Sequence, residues 1–335
     1  RKSRVPDARL YYSPLTGYAG ITAALAKVKY RRPMLLTEHG IYYRERMMEL
    51  EKANWIYEQK HRDFIIRSLY GGLKKLWNHM FFGMSKIAYI NADRITTLFT
   101  DNRQMQLEAG ADFEKISIIP NGIKTSLFDH IPVKDIEGRK TFIVALVGRV
   151  VSIKDVKTYI WAARNVEDRM PGRVKFKILG SYDEDREYYN DCRALVELLG
   201  LRDVVNFEGS VNLTEYYKNV DLVALTSISE GQPLSIMEAM ASAIPSVATN
   251  VGACKELLYG RNELDMKMGK CGIITDVHSP METAEAMMSI LKDPSTHKEM
   301  SEIARKRVKK YYERARILAK YEETFKEMLK GQGDN

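Results

Sequence analysis

Phe142-Ile143-Val144-Ala145-Leu146-Val147-Gly148-Arg149-Val150-Val151-Ser152-Ile153-Lys154-Asp155 is the stretch on which the fold can be read. An apolar run rich in β-branched residues stops at a glycine, which is how a strand covered on both faces ends in a turn. The amphipathic residues after Asp155 predict the helix that covers it. The same alternation recurs downstream, with strands expected at 174–179, 204–207, 222–225 and 246–248 and helices between them. Such a chain builds a parallel sheet with helices on both sides, an α/β Rossmann-like domain.

Working back from this stretch, 10–13, 34–37, 95–98 and 116–119 also read as strands, and 55–90 reads as one or two long helices interrupted near Gly71-Gly72. No strand with a glycine-rich turn precedes Leu10, so this half is expected to be a partial Rossmann-like domain without its earliest strands. The boundaries predicted are 1–125 for the N-terminal domain, 126–310 for the C-terminal one and 311–335 for a closing helix. The passage between domains is expected within 121–140, where Pro120, Pro132 and Gly138 break the periodicity. The closing helix either runs back across the first domain or packs on its own.

Composition agrees with two folded domains: 335 residues, 45% hydrophobic and 29% charged, exceed what one core organises and are too apolar for disorder. No run of about eighteen apolar residues occurs, and Arg1-Lys2-Ser3-Arg4 lacks the apolar stretch of a signal peptide, so a cytoplasmic protein is expected. Cys192, Cys254 and Cys271 have neither paired nor metal-site spacing and read as buried free thiols. A formal charge of +8 admits anionic partners. The densest basic run, Arg305-Lys306-Arg307-Val308-Lys309-Lys310, reads as a solvated helix face; without an aromatic stacking platform it does not point to nucleic acid.

Two constellations carry chemistry. In Gly148-Arg149 through Lys154, glycine lets the backbone approach a ligand, and two cations stand at the carboxyl edge of a strand, where α/β sheets bind ligands. Arginine forks onto two oxygens and lysine supplies a point charge, a pairing suited to a diphosphate, although basic residues after a strand are also ordinary surface. In Ser229-Glu230-Gly231-Gln232-Pro233-Leu234-Ser235-Ile236-Met237-Glu238-Ala239-Met240, two carboxylates lie across a strand-to-helix turn. The amides of Leu234 and Ser235 fall at the helix start, where unpaired N–H groups favour a phosphate. Pro233 presets the first turn. The plain alternative is a helix N-terminus with Glu238 on a solvated face.

Together, Gly148-Arg149…Lys154 and Glu230-x7-Glu238 resemble the E-x7-E retaining glycosyltransferases of family GT4, which have the two-domain GT-B fold. Thr16-Gly17-Tyr18-Ala19-Gly20, Leu36-Thr37-Glu38-His39-Gly40-Ile41-Tyr42-Tyr43-Arg44-Glu45-Arg46 and Glu230-Gly231-Gln232-Pro233-Leu234 are similar to the PelF branch, cytosolic enzymes of Pel exopolysaccharide synthesis. The resemblance implies two parallel sheets facing a cleft and a UDP-sugar donor, with glucose the expected sugar and a growing polysaccharide the acceptor. It implies that Arg149 and Lys154 hold the diphosphate, that Glu238 binds the ribose, that Glu230 meets hydroxyls of the transferred sugar, that Gly148 and Gly231 belong to the donor site, and that backbone groups around Gly209-Ser210-Val211 meet the uracil. Asn121-Gly122-Ile123 would be the exit into the interdomain linker. His39 would lie across the cleft near sugar and acceptor as a proton shuttle or a hydrogen-bond partner, with Glu38 either orienting it or exposed.

The resemblance implies no obligatory metal and no other cofactor, so positive charge on the leaving diphosphate is expected from side chains and amides. Asp183-Glu184-Asp185 matches the Asp-x-Asp pattern of metal-dependent transferases, yet acidic residues are expected at the helix start it occupies. Trp77-Asn78-His79-Met80-Phe81-Phe82-Gly83-Met84, preceded by Lys74-Lys75, reads as helix packing in the first domain, with contact to a membrane-bound synthase at the inner membrane as the other account. Two other functions fit the same motifs: an inactive nucleotide-sugar-binding scaffold of an export complex, and an epimerase that releases free sugar.

Overall fold

The computed structural model describes residues 5–52 and 64–330, and the chain divides there into two compact α/β units. The first unit comprises the residues up to Pro120 together with those from Ala319 onward. It runs β1 Tyr11–Ser13, α1 Gly17–Tyr30, β2 Met34–Glu38, α2 Tyr42–Lys52, α3 Phe64–Asn91, β3 Arg94–Thr97, α4 Thr100–Glu108 and β4 Ile116–Ile118. All pairings are parallel, in the order β1-β2-β3-β4. Every residue of β2 is buried, as expected of a strand covered on both faces. Met34, Leu36, Ala88, Tyr89 and Ile95 belong to the core this creates.

The helix that the sequence interrupts at Gly71-Gly72 is continuous there: α3 passes through both glycines. A glycine in a helix costs only about 1 kcal/mol relative to alanine, and packing of α3 along α1 outweighs that. The part of the 55–90 expectation between 53 and 63 lies outside the described residues. Phe81 and Met84 are buried, while Trp77 and Phe82 are exposed, so the aromatic run is helix packing on one side and surface on the other.

The second unit spans Asn121–Leu318. Its elements are β5 Phe142–Val147, α5 Val156–Arg169, β6 Val174–Leu179, α6 Arg186–Leu198, β7 Val205–Gly209, α7 Leu213–Tyr216, β8 Leu222–Leu225, α8 Leu234–Ala241, β9 Ser246–Thr249, α9 Cys254–Tyr259, α10 Glu263–Met266, β10 Gly272–Thr275, α11 Pro280–Lys292 and α12 Pro294–Tyr311. A last helix, α13 Arg314–Lys330, begins in this unit and ends in the first, where the Phe325 ring meets Tyr12 edge-on at 5.8 Å. The sheet order is β10-β9-β8-β5-β6-β7, all parallel. β10 was not legible in the sequence: Ile273 and Ile274 are its only large apolar residues, and pairing with β9 defines it.

The basic run at 305–310 is not a uniformly solvated face. Arg307 is 0% exposed. Its Nε lies 2.7 Å from Asp265 Oδ1, and its remaining nitrogens donate to the carbonyls of Leu258, Asp265 and Gly269 and to Cys271 Sγ. Helical periodicity turns Arg307 inward together with Val308, and full hydrogen bonding makes the buried charge tolerable. Cys192, Cys254 and Cys271 are buried free thiols.

Candidate functional site

The second sheet reverses its strand order between β5 and β8, because β6 and β7 extend one way from β5 and β9 and β10 the other. At such a reversal the connections leave on opposite faces and open a crevice at the carboxyl ends of the strands. The two constellations read from the sequence are the turns at these ends. After β5 the chain turns through Gly148, Arg149 and Lys154; after β8 it turns through Ser227, Glu230 and Gly231 into α8.

These turns are tied to each other. Lys154 Nζ donates to Glu230 Oε1 at 2.5 Å, with the side chains 20% and 12% exposed. Ser227 Oγ donates to the same carboxylate oxygen at 2.6 Å. Thr226 Oγ1 reaches the carbonyls of Lys154 and Asp155, and Ile228 N donates to Ile153 O. Sequence reasoning missed Ser227 and Thr226, since a hydroxyl beside a strand end carries no pattern of its own.

Two close approaches of backbone fix the turns. A Cβ on Gly180, at the end of β6, would stand 2.1 Å from Gly148 O. Gly252, at φ +52 in the loop after β9, packs on the Glu230 turn so tightly that a Cβ would lie 2.2 Å from Gly231 O. Ala253 N then donates to that carbonyl at 2.8 Å. Only glycine combines the left-handed backbone with this contact.

Arg149 is exposed and ion-paired with Glu184, a partner the sequence did not reveal. The other acids of the Asp-x-Asp match have structural partners. Asp183 pairs with Arg186, and Asp185 caps α6 by accepting from Tyr188 N at 3.1 Å. Among the described residues no group of three His, Cys, Asp or Glu is arranged to hold a metal ion.

Helix α8 starts at Leu234 with Pro233 in the capping position, so the free amides of its first turn are those the sequence indicated. Glu238 is half-buried, not on a solvated face, and burial raises its pKa above the usual carboxylate value. It lines an open pocket of about 400 Å³ together with Val211, Leu234, Asn212, Lys124 and Arg314. Ser235 O accepts from the buried Tyr217 hydroxyl at 3.3 Å. Val211, Leu234 and Glu238 therefore share one pocket, Lys154 and Glu230 meet outside its lining, and Gly148, Arg149, Gly231 and Ser235 flank these groups on the same two turns and on α8.

In the first unit, His39 is exposed just beyond β2, and its carbonyl accepts from Asn102 Nδ2 at 3.1 Å. Glu38 neither orients the imidazole nor faces solvent, contrary to both sequence expectations. It is fully buried and accepts from Thr16 Oγ1 (3.0 Å), Tyr42 N (3.1 Å), Tyr89 OH (2.5 Å) and Gln106 Nε2 (2.9 Å). Burial pushes its pKa up, against the opposing pull of these four donors.

Comparison with known proteins adds to this geometry. Residues 129–307 match the profile described as "Glycosyl transferases group 1", and residues 2–114 match a domain of unknown function, DUF3492. The D-inositol 3-phosphate glycosyltransferase of Paenarthrobacter aurescens is 28% identical over 204 residues, 58% of this chain and 48% of its own. The N-acetyl-alpha-D-glucosaminyl L-malate synthase of Bacillus anthracis is 30% identical over 137 residues, 41% of this chain and 34% of its own. The chain thus spans about half the length, or less, of these curated relatives. Anabaena HepE, solved with UDP and glucose, superposes with a TM-score of 0.71 at 20% identity, covering 95% of this chain and 78% of that one. Sucrose-phosphate synthase from Thermosynechococcus elongatus gives 0.71 at 20% identity, covering 97% and 74%. These likenesses show the fold, that of the GT-B glycosyltransferases.

Proposed function

Because the chain belongs to the group 1 glycosyltransferases, we propose that it moves a sugar from a UDP-sugar donor to a glycan with retention at the anomeric carbon. The reading extends to glucose from UDP-glucose and to a growing exopolysaccharide of the Pel type, made on the cytoplasmic side of a membrane-bound synthase complex. The observation that carries it is the Lys154–Glu230 pair at the strand-order reversal of the second sheet. Support for the donor comes from HepE, solved with UDP, with UDP-glucose and with UDP and glucose.

The chemistry follows from the charges. A departing diphosphate needs positive charge fixed in advance, and Lys154, Arg149 and the Leu234 and Ser235 amides provide it without a metal. When phosphate oxygens take over Lys154, Glu230 loses a counter-ion and gains capacity to accept hydroxyls of the transferred sugar. Glu238 holds the ribose from α8, Val211 lies against the uracil, and Gly148 and Gly231 let the backbone close on the ligand. His39 offers an imidazole to sugar or acceptor. The exposed Leu76 and Trp77 of α3, near Lys74 and Lys75, are the surface on which to seek the membrane-bound partner.

The test is product analysis. Protein supplied with UDP-glucose and glucan oligosaccharides should release UDP in step with an α-linked, extended glycan. A new free sugar would indicate an epimerase, and no turnover with intact UDP binding would indicate a scaffold; either result overturns the proposal.

A further inference from the structure

Four non-glycine residues have positive φ among the described residues, and two of them are partners. Asp155 (φ +44) directly follows Lys154; His278 (φ +56) lies in the loop between β10 and α11. His278 Nδ1 stands 2.7 Å from Asp155 Oδ2, with side-chain exposures of 60% and 10%. A left-handed conformation costs a residue with a Cβ about 1–2 kcal/mol, so each persists because its surroundings hold it.

The surroundings of Asp155 are explicit. Its carboxylate accepts from Thr158 N and Thr158 Oγ1, which caps α5, and its carbonyl and that of Lys154 accept from Thr226 Oγ1. Those bonds tie the turn to α5 and to the end of β8. His278 is the one contact on the carboxylate that comes from the loop after β10, so it joins a third strand end to the turn that carries Lys154. The contact needs a proton on Nδ1, which the imidazolium or one neutral tautomer supplies.

We propose that His278 is a positioning residue for Lys154: by holding the Asp155 carboxylate it keeps the strained turn in the conformation that aims the ammonium at the donor diphosphate. This rests on the reading in which Lys154 binds that diphosphate. A loose turn lets Lys154 wander and lowers its contribution to diphosphate binding, while groups that meet the nucleoside are untouched.

The experiment is calorimetric titration with UDP and with uridine. Glycine tolerates the left-handed backbone, so His278→Gly removes the imidazole without adding strain. Asparagine tolerates it too and places an amide nitrogen at the same bond separation from Cβ as Nδ1, so His278→Asn should restore the contact. We expect His278→Gly to bind UDP about threefold to fivefold more weakly with uridine binding unchanged, and His278→Asn to return within about 1.5-fold. Equal weakening of UDP and uridine, no weakening, or failure of asparagine to rescue would overturn the proposal. Lys154→Ala, titrated alongside, separates the two claims. If it weakens UDP and His278→Gly does not, the positioning role alone falls; if Lys154→Ala leaves UDP binding intact, the diphosphate assignment falls and takes the positioning role with it.

Discussion

Lys154 and Glu230 lie 76 positions apart in sequence, yet their charged atoms meet at 2.5 Å where the second sheet reverses its strand order. The pair is half-buried, so its Coulomb energy is larger than that of an exposed pair, and removing the cation leaves Glu230 with Ser227 as its side-chain donor. Lys154→Ala should lower kcat/KM for UDP-glucose by at least about tenfold, since a charge-assisted bond contributes roughly 1.5–3 kcal/mol. UDP release at UDP-glucose concentrations below KM, with acceptor in excess, measures it, and a loss smaller than twofold would contradict the assignment.

The Glu230 turn depends on Gly252. Gly252→Ala forces a Cβ to 2.2 Å from Gly231 O in addition to the cost of a left-handed backbone. Thermal unfolding should drop by several degrees, corresponding to about 1–3 kcal/mol, and UDP binding should weaken with it. Gly172→Ala is the control, since Gly172 has φ +69 and open space around it. It should show the smaller backbone cost alone and no change in UDP binding.

Arg307 anchors the second unit. Arg307→Leu leaves Asp265 charged and buried with no guanidinium, a class of change that costs about 3–5 kcal/mol. Denaturant unfolding followed by circular dichroism should show that loss. A change under 1 kcal/mol would mean that water enters and solvates Asp265.

Glu38 makes stability pH-dependent. Its pKa in the folded chain is raised, so the native state binds the proton more tightly than the unfolded chain, and stability falls as pH rises from the ordinary glutamate value through the raised one. Glu38→Gln carries no charge and should flatten that part of the profile. Measuring denaturation midpoints of both proteins between pH 4.5 and 8 tests this; parallel curves would refute it.

Much of this was legible because local pattern and tertiary environment agree. β5, β6 and β8 begin and end where short apolar runs meet turn residues, and β10 escaped because two isoleucines make too short a run. The site was legible as two motifs but not as a geometry: strand order, invisible in sequence, puts the Lys154 turn beside the Glu230 turn. Glu38 was misread because its side-chain partners Thr16, Tyr89 and Gln106 come from 22, 51 and 68 positions away. Arg307 is hidden in the sequence because a basic run masks the two adjacent positions, Arg307 and Val308, that helical rotation turns inward.

The central claim is that the second unit holds a uridine diphosphate, with Glu238 in its binding pocket. Calorimetric titration of the protein and of Glu238→Ala with UDP, ADP and GDP tests it most directly. The account predicts that UDP binds more tightly than either purine nucleotide and that Glu238→Ala weakens UDP by about tenfold or more. Equal binding of the three nucleotides, or undiminished UDP binding in Glu238→Ala, would contradict it.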